Sequence, residues 1–167
     1  DEKAVIENIE SDHLHAIIDV WAGEPVPNCK LVTSATVATP HIAGYGVESK
    51  LRTTETIETA LANWAGISPE GTPGGAASIH LPIAAPGPDA SDTVFCASIT
   101  RQAYDITRDH LHMQGMCSFA SESRAEFFRE LRDGYRFRNE FSSHSLTGEK
   151  LTDRQRQLTF GLGFQVE

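Results

Sequence analysis

Two short apolar runs near the beginning of the chain each lead into a loop. Residues 15–20 form a nearly continuous apolar segment, which predicts a strand buried on both faces, as in a parallel sheet. Residues 31–38 are rich in β-branched side chains and stop at Thr39 and Pro40, which predicts a second strand that ends there. Such strand ends are where open α/β sheets usually carry their chemistry.

Helical spacing follows these two runs. Between residues 47 and 65 apolar side chains recur every three or four positions, which predicts a helix with one apolar stripe that ends at Gly66. Residues 66–92 contain five glycines and five prolines, so we expect a loop region there. Within it, residues 78–83 predict one short strand at a sheet edge, because Pro82 lacks the N–H that an inner strand donates.

The remainder of the chain predicts an α+β module that is separate from the first part. A long helix is expected from a cap at Ser91 or Asp92 to about Met113. A second helix is expected over residues 122–134, and a third begins at a cap near Thr152. Residues 141–147 and 164–167 predict short strands, and we expect them to form a short antiparallel sheet.

Composition and charge narrow the range of partners. With 167 residues, of which 40% are hydrophobic, the chain can fold as one ordinary domain or two small ones. The formal charge of −9 argues against a nucleic-acid partner. No apolar run approaches the length of a membrane span and no signal peptide is visible, so we expect no membrane partner.

The three cysteines indicate a reducing environment. Cys29, Cys96 and Cys117 are odd in number and widely spaced, which argues against a disulfide framework and predicts a cytoplasmic protein. Because the chain has no CxxC pair, we expect no cysteine zinc site. The chain starts at Asp1, without methionine and in polar sequence of helical type, which we interpret as truncation of a longer protein.

Glu24 and His41 are the candidate proton-transfer pair. A carboxylate that orients a histidine and favours its charged form makes a general base that works near neutral pH. Oxidation of an alcohol by hydride transfer needs such a base for the hydroxyl proton. A loop glutamate and a histidine that caps a backbone group remain an alternative, since a separation of seventeen positions is not diagnostic.

The segments Asp19–Pro25 and Thr39–Tyr45 resemble motifs of the D-2-hydroxyacid dehydrogenase family. Three further segments resemble an extra C-terminal dimerisation domain that one branch of the family carries: Tyr104–Asp109, Phe128–Phe141 and Leu162–Phe164. The resemblance implies an NAD-dependent enzyme that oxidises a small phosphorylated 2-hydroxy acid, and a homodimer that forms through the C-terminal domain.

The resemblance also implies roles for single residues. Glu24 and His41 would be catalytic, with Glu24 orienting the histidine that exchanges the proton. Asp19 and Gly44 would bind NAD, and Tyr45 would contact the substrate. The family's glycine-rich motif and its catalytic arginine precede the matched segments, and no metal is implied.

The fold class that follows is α/β, with the C-terminal part of a Rossmann-type NAD-binding domain and then a small α+β dimerisation domain. The expected boundaries are 1–66 for the first part with its return helix, 67–76 for a linker and 77–167 for the dimerisation domain. The alternatives are a non-catalytic dimerisation module, a family member with another substrate, and a zinc hydrolase built on two Asp-His-Leu-His copies at 12–15 and 109–112.

Five arginines lie among acidic residues between positions 124 and 138. We favour a solvated helix with ion pairs between residues four apart, because Glu and Asp alternate with the arginines. A sharper hypothesis is that Arg136 or Arg138 contacts a substrate phosphate, since arginine is the side chain best suited to that group.

Overall fold

A computed structural model describes residues 1–68, 80–147 and 151–166 of the chain. Within these ranges the chain forms seven helices and five short strands, with one 3-10 turn at Phe141–Ser143. The elements in chain order are α1 (Glu2–Glu10), β1 (Ile17–Ile18), α2 (Cys29–Ser34), β2 (Val37–Ala38), α3 (Val47–Ala65), β3 (Leu81–Ala84), α4 (Asp92–Ala103), α5 (Ile106–Met116), α6 (Ser121–Asp133), β4 (His144–Thr147), α7 (Asp153–Gly161) and β5 (Gln165–Val166).

The chain divides into two compact units that interleave along the sequence. Unit 1 comprises residues 1–44 and 106–136, and unit 2 comprises the described parts of 45–105 and 137–167. The expected domain boundaries follow chain order instead and stay a prediction. The expected linker, 67–76, lies almost wholly outside the described residues.

In unit 1, β1 and β2 form a parallel pair, with Ile17 opposite Val37. The prediction of a strand over residues 31–38 was wrong for its first half, because residues 29–34 form α2. The Asn28 side chain accepts a hydrogen bond from the Lys30 N–H and caps this helix, which lets Leu31 and Val32 point into the core. Capping and burial thus outweigh the β-branched composition.

The core of unit 1 joins this first part of the chain to α5 and α6. The buried side chains are Ile6, Trp21, Leu31, Val32, Ala35, Ala38, Met113, Met116 and Phe128. Trp21 is 3% exposed and Phe128 is 1% exposed. The turn that follows Trp21 and the helix that carries Phe128 are therefore held by one set of contacts.

The sheet of unit 2 has the order β3-β4-β5 and is parallel throughout. The prediction of an antiparallel sheet was wrong. The strands are joined through helices, which return the chain to the starting end of the sheet, whereas antiparallel neighbours can be joined by tight hairpins. Pro82 lies in the edge strand β3, as expected, while residues 78 and 79 lie outside the described residues.

Helix α3 has the predicted bounds, and Gly66 ends it in the left-handed conformation with φ of 67°. Its apolar stripe is exposed in the structure: Ile57, Leu61 and Trp64 are 63%, 59% and 84% exposed, while Ala62 is buried.

The long helix expected from residue 92 is two helices. Ser91 caps α4 as predicted, but Tyr104 adopts an extended conformation and ends this helix before α5 begins at Ile106. The third predicted helix starts with a reciprocal capping box between Thr152 and Gln155.

Cys29 and Cys117 form a disulfide, against the expectation from the cysteine number and spacing. They are 88 residues apart in sequence, but their Cα atoms are 5.5 Å apart, a usual distance for a bonded pair. Sequence spacing could not show this, because the tertiary fold brings the start of α2 to the turn after α5. Cys96 is a free thiol. Among the described residues no helix combines the length and the apolar character needed to cross a membrane.

Candidate active site

Glu24 and His41 contact each other directly. The His41 Nδ1 lies 2.9 Å from Glu24 Oε2 and 3.1 Å from Oε1, so the imidazole donates its Nδ1–H to the carboxylate. The Glu24 side chain is 19% exposed and that of His41 is 41% exposed. This tautomer leaves Nε2 as the nitrogen that can take a proton from a bound hydroxyl group.

Glu24 is positioned by the turn that follows Trp21. The Trp21 backbone N–H donates to Glu24 Oε1 at 3.0 Å, and the buried indole Nε1–H donates to the Thr39 carbonyl at 2.9 Å. The turn is closed by a 2.7 Å hydrogen bond from the Val26 N–H to the Gly23 carbonyl. A Cβ at Gly23 would lie 2.8 Å from the Val26 oxygen, so this turn requires glycine.

His41 has a backbone φ of 59°, in the left-handed region that non-glycine residues seldom adopt. The Asp19 carboxylate holds this conformation by accepting hydrogen bonds from Ile42 N–H at 2.8 Å and Ala43 N–H at 3.0 Å. It also accepts a 2.7 Å hydrogen bond from the Thr39 hydroxyl. A strained backbone conformation persists only where several surrounding contacts enforce it, and such conformations are concentrated at functional sites.

Gly44 and Tyr45 follow this loop. A Cβ at Gly44 would meet nothing within 4 Å among the atoms that the structure describes. Tyr45 belongs to unit 2, where its ring centroid lies 5.5 Å from that of Phe137. The Lys50 ammonium lies 5.2 Å from the centroid of the Tyr45 ring. The structure therefore brings Asp19, Glu24 and His41 together in unit 1, and shows Tyr45 only in its packing within unit 2.

Arg132 is a residue of this site that the sequence analysis did not single out. Its Nη1 lies 4.0 Å from Glu24 Oε2. The arginines of α6 were instead expected to form ion pairs with acidic residues of the same helix. The signal that could have found it is its spacing from Phe128, because residues four apart share one helix face. Two other arginines also contact groups outside α6, since Arg124 donates to the Phe119 carbonyl and Arg138 stacks on Tyr104.

Curated proteins match this chain over most of its length, although no family model matches it. A protein of Salinibacter ruber is 34% identical over 163 residues, or 91% of this chain and 40% of the relative. One from Teredinibacter turnerae is 33% identical over 96% of this chain and 42% of the relative. A third, from Stutzerimonas stutzeri, is 31% identical over 79% of this chain and 35% of the relative. All three are named erythronate-4-phosphate dehydrogenase.

The chain is similar to erythronate-4-phosphate dehydrogenases. This confirms the resemblance that the motifs at 19–25 and 39–45 indicated. The chain spans about two fifths of the length of the erythronate-4-phosphate dehydrogenases that it matches.

A second polar cluster lies in unit 2, within segments that resemble the C-terminal part of erythronate-4-phosphate dehydrogenases. Glu48, in the first turn of α3, accepts hydrogen bonds from the Asn139 amide at 3.0 Å, the Glu140 N–H at 2.8 Å and the Ser143 hydroxyl. Partial burial acts to raise the pKa of Glu48, but these hydrogen bonds outweigh it and lower the pKa to about 2. The cluster holds the segment 138–143 against α3.

Next to this cluster lies a cavity of about 430 Å³ in unit 2. Its lining includes Tyr104, Arg138, Asn139 and Leu162. The Arg138 guanidinium carbon lies 4.8 Å from the centre of the Tyr104 ring, a cation–π contact. Arg138 is therefore the one member of the predicted Arg136–Arg138 alternative that lines this cavity, and Arg136 is exposed in unit 1.

The structure gives no support to a zinc site at the repeated histidines. The described residues contain no group of three or more His, Cys, Asp or Glu side chains placed to hold a metal ion. His110, from the second copy, instead accepts a 3.0 Å hydrogen bond from the Ala38 N–H through Nδ1.

Proposed function

We propose that this chain is part of an NAD-dependent erythronate-4-phosphate dehydrogenase. Such an enzyme oxidises 4-phospho-D-erythronate to (R)-3-hydroxy-2-oxo-4-phosphonooxybutanoate, a step of pyridoxine and pyridoxal 5′-phosphate biosynthesis. The observation that carries the proposal is the Glu24–His41 hydrogen bond, formed between the two segments on which the resemblance rests. The similarity to curated dehydrogenases of this name supports the choice of substrate.

The proposed chemistry uses the two ring nitrogens of His41 for different tasks. Nε2 accepts the proton of the substrate 2-hydroxyl group while the C2 hydrogen leaves as a hydride. Nδ1 donates to Glu24, whose negative charge stabilises the imidazolium that forms. NAD, when bound, supplies the acceptor for the hydride. The oxidised carbon becomes the 2-oxo group, and the proton resides on His41 until solvent takes it.

Asp19 and Gly44 are the residues that we propose to contact NAD. Gly44 is exposed, and the room around it would let the backbone approach a cofactor closely. Asp19 Oδ2 accepts a hydrogen bond from the Ala43 N–H, and a carboxylate oxygen has a second lone pair that a carboxamide N–H can use. We propose that Tyr45 contacts the substrate.

We propose that residues 1–66 comprise the C-terminal part of a Rossmann-type NAD-binding domain and, over 47–65, the return helix to the substrate domain. We also propose that residues 77–167 form the contact between two copies of the enzyme. The arginine that binds the substrate carboxylate is then expected from the part of the relatives' length that this chain does not span. We also propose that the enzyme works in the cytoplasm, although the Cys29–Cys117 disulfide removes the cysteine argument for that location.

The second candidate is a non-catalytic dimerisation module. The observation in its favour is that the chain spans only about two fifths of the relatives' length. It predicts a stable dimer of the 167-residue chain that binds no NAD. Calorimetric titration of the chain with NAD, together with its mass in solution, separates this module from a cofactor-binding fragment.

The experiment that tests the dehydrogenase proposal measures NADH formation from 4-phosphoerythronate by an enzyme that joins this chain to the remaining length of a relative. We expect activity in the unchanged enzyme and its loss in His41→Ala. The matched control is His13→Ala, because His13 is an exposed histidine outside the site. Oxidation of an unphosphorylated 2-hydroxy acid at equal efficiency would favour a dehydrogenase of other specificity.

A further inference from the structure

We infer that Arg132 is a positioning residue that acts through Glu24 on His41, an inference that rests on the proposed function. Its Nη1 lies 4.0 Å from Glu24 Oε2, the same oxygen that lies 2.9 Å from His41 Nδ1. Arg132 is always charged, whereas His41 changes its charge during the reaction. One carboxylate oxygen is thus shared by a permanent cation and a transient one.

The packing of α6 holds Arg132 in this place. Phe128, one turn earlier on the same face, is 1% exposed and belongs to the core cluster that contains Trp21. The Trp21 backbone N–H in turn donates to Glu24 Oε1. The helix that carries Arg132 and the turn that carries Glu24 are therefore packed on one core cluster.

One N–H group of the Arg132 guanidinium makes no hydrogen bond to the described residues in this position. Arg132 Nε is buried and has no hydrogen-bond partner among the described residues, while the side chain as a whole is 42% exposed. A buried donor without a partner is unfavourable, and a native structure usually keeps one where another interaction offsets it. The attraction between Arg132 and the largely buried Glu24 carboxylate is such an interaction.

Arg132 should affect the chemical step of the reaction, because it acts on the pair that transfers the proton. Arg132 places a positive charge beside the Glu24 carboxylate and orients it when His41 is neutral, before the imidazolium can do so. Because both cations share one carboxylate oxygen, Arg132 also weakens the attraction between Glu24 and the imidazolium. His41 can then release its proton after each turnover. Neither effect involves the substrate, so Arg132 should contribute to kcat and leave KM unchanged.

The first test compares substitutions of Arg132 in the enzyme that joins this chain to the remaining length of a relative. We expect Arg132→Met to lower kcat about tenfold with KM unchanged, and Arg132→Lys to recover part of the loss, because lysine keeps the charge. Arg129→Met, an exposed neighbour on α6, is the matched control and should keep full activity. A raised KM with an unchanged kcat would overturn the inference, because Arg132 would then bind substrate.

A double substitution tests whether Arg132 acts through Glu24. In a Glu24→Gln background the carboxylate charge is gone, so Arg132→Met should cause no further loss of kcat. A tenfold loss that persists in this background would show that Arg132 supports the fold or the substrate instead, and the inference would be wrong.

The third test needs no activity and uses the 167-residue chain. We expect Arg132→Met to lower the Tm in the unchanged chain and to lower it less, or not at all, in the Glu24→Gln background. Equal losses in both backgrounds would refute the Arg132–Glu24 coupling, whatever the enzyme oxidises. Coupling in the chain, together with an enzyme that does not oxidise 4-phosphoerythronate, would reject the proposed function and retain the coupling.

Discussion

Asp19 accepts a 2.8 Å hydrogen bond from the backbone N–H of Ile42, the residue directly after His41. The same carboxylate accepts a second N–H from Ala43 and a hydroxyl from Thr39, on the other side of the histidine. The left-handed conformation of His41 therefore depends on a side chain that directly follows β1. Asp19 therefore has a structural role in the site, holding the loop around His41, and this role does not require a bound cofactor.

We expect Asp19→Asn to destabilise the chain by about 2 kcal/mol, because the amide NH2 cannot accept and so removes at least one of the hydrogen bonds that the carboxylate accepts. Urea unfolding of the variant measures this loss. Asp12→Asn is the control, since Asp12 also has a positive φ, of 60°, but is exposed, and asparagine tolerates that conformation. Equal stability of both variants would argue against the role of Asp19.

Two glycines of the site should respond differently to alanine. Gly23→Ala places a Cβ 2.8 Å from the Val26 carbonyl oxygen, so we expect a loss of about 1–3 kcal/mol in unfolding free energy. Gly44→Ala meets no atom within 4 Å among those described and should leave stability unchanged. In the enzyme, Gly44→Ala should raise the KM for NAD. An unchanged KM for NAD in that variant would contradict a cofactor contact at Gly44.

The stability of unit 2 should depend on pH through Glu48. The folded-state pKa of Glu48 is about 2, below the ordinary 4.5, so ionisation of this carboxylate favours the folded state at higher pH. The contribution is fully present above pH 4.5 and is lost as the pH falls towards 2. Because solvent screens a half-buried group, we expect on the order of 1 kcal/mol.

Urea unfolding of Glu48→Gln checks this prediction. The difference in stability between the unchanged chain and the variant should be largest near neutral pH and should shrink as the pH falls through the window. Glu126→Gln, an exposed substitution on α6, is the control. A difference that does not change with pH would mean that the hydrogen bonds to Glu48 do not depend on its charge.

Cys29 and Cys117 should be found linked when the chain is digested without reductant and its peptides are mapped by mass. Cys96 should react with an alkylating reagent under the same conditions. We expect reductant to lower the Tm, because the disulfide closes a long loop in the unfolded chain. The Cys96→Ser variant should show the same change with reductant. Full alkylation of all three cysteines in the native chain would refute the bond.

Arg138 is the arginine that we expect to contact the substrate phosphate, because it lines the cavity of unit 2 beside Tyr104. Loss of one charge-assisted hydrogen bond predicts a KM for 4-phosphoerythronate about tenfold higher in Arg138→Ala. Arg136→Ala, an exposed neighbour, should keep its KM. If the KM of Arg138→Ala did not change, the phosphate would have to be bound elsewhere.

The sequence by itself determined the features that depend on neighbours along the chain. The bounds of α3, its glycine cap at Gly66 and the capping of α4 by Ser91 follow from local propensity and capping, and the structure agrees. The strand β1 lies within the first apolar run, as predicted, although Ile17 is 75% exposed where burial on both faces was expected. The motifs around Glu24 and His41 indicate the similarity to erythronate-4-phosphate dehydrogenases without any knowledge of three-dimensional contacts.

Only the tertiary structure decided the features that join distant parts of the chain. Residues 31–34 became helical because their apolar side chains reach the core, and the sheet of unit 2 became parallel because helices join its strands. The Cys29–Cys117 bond and the approach of Arg132 to Glu24 span about a hundred residues, and a one-dimensional pattern carries no information on such distances. Side-chain packing of the core brings these residues together, and it depends on the whole fold at once.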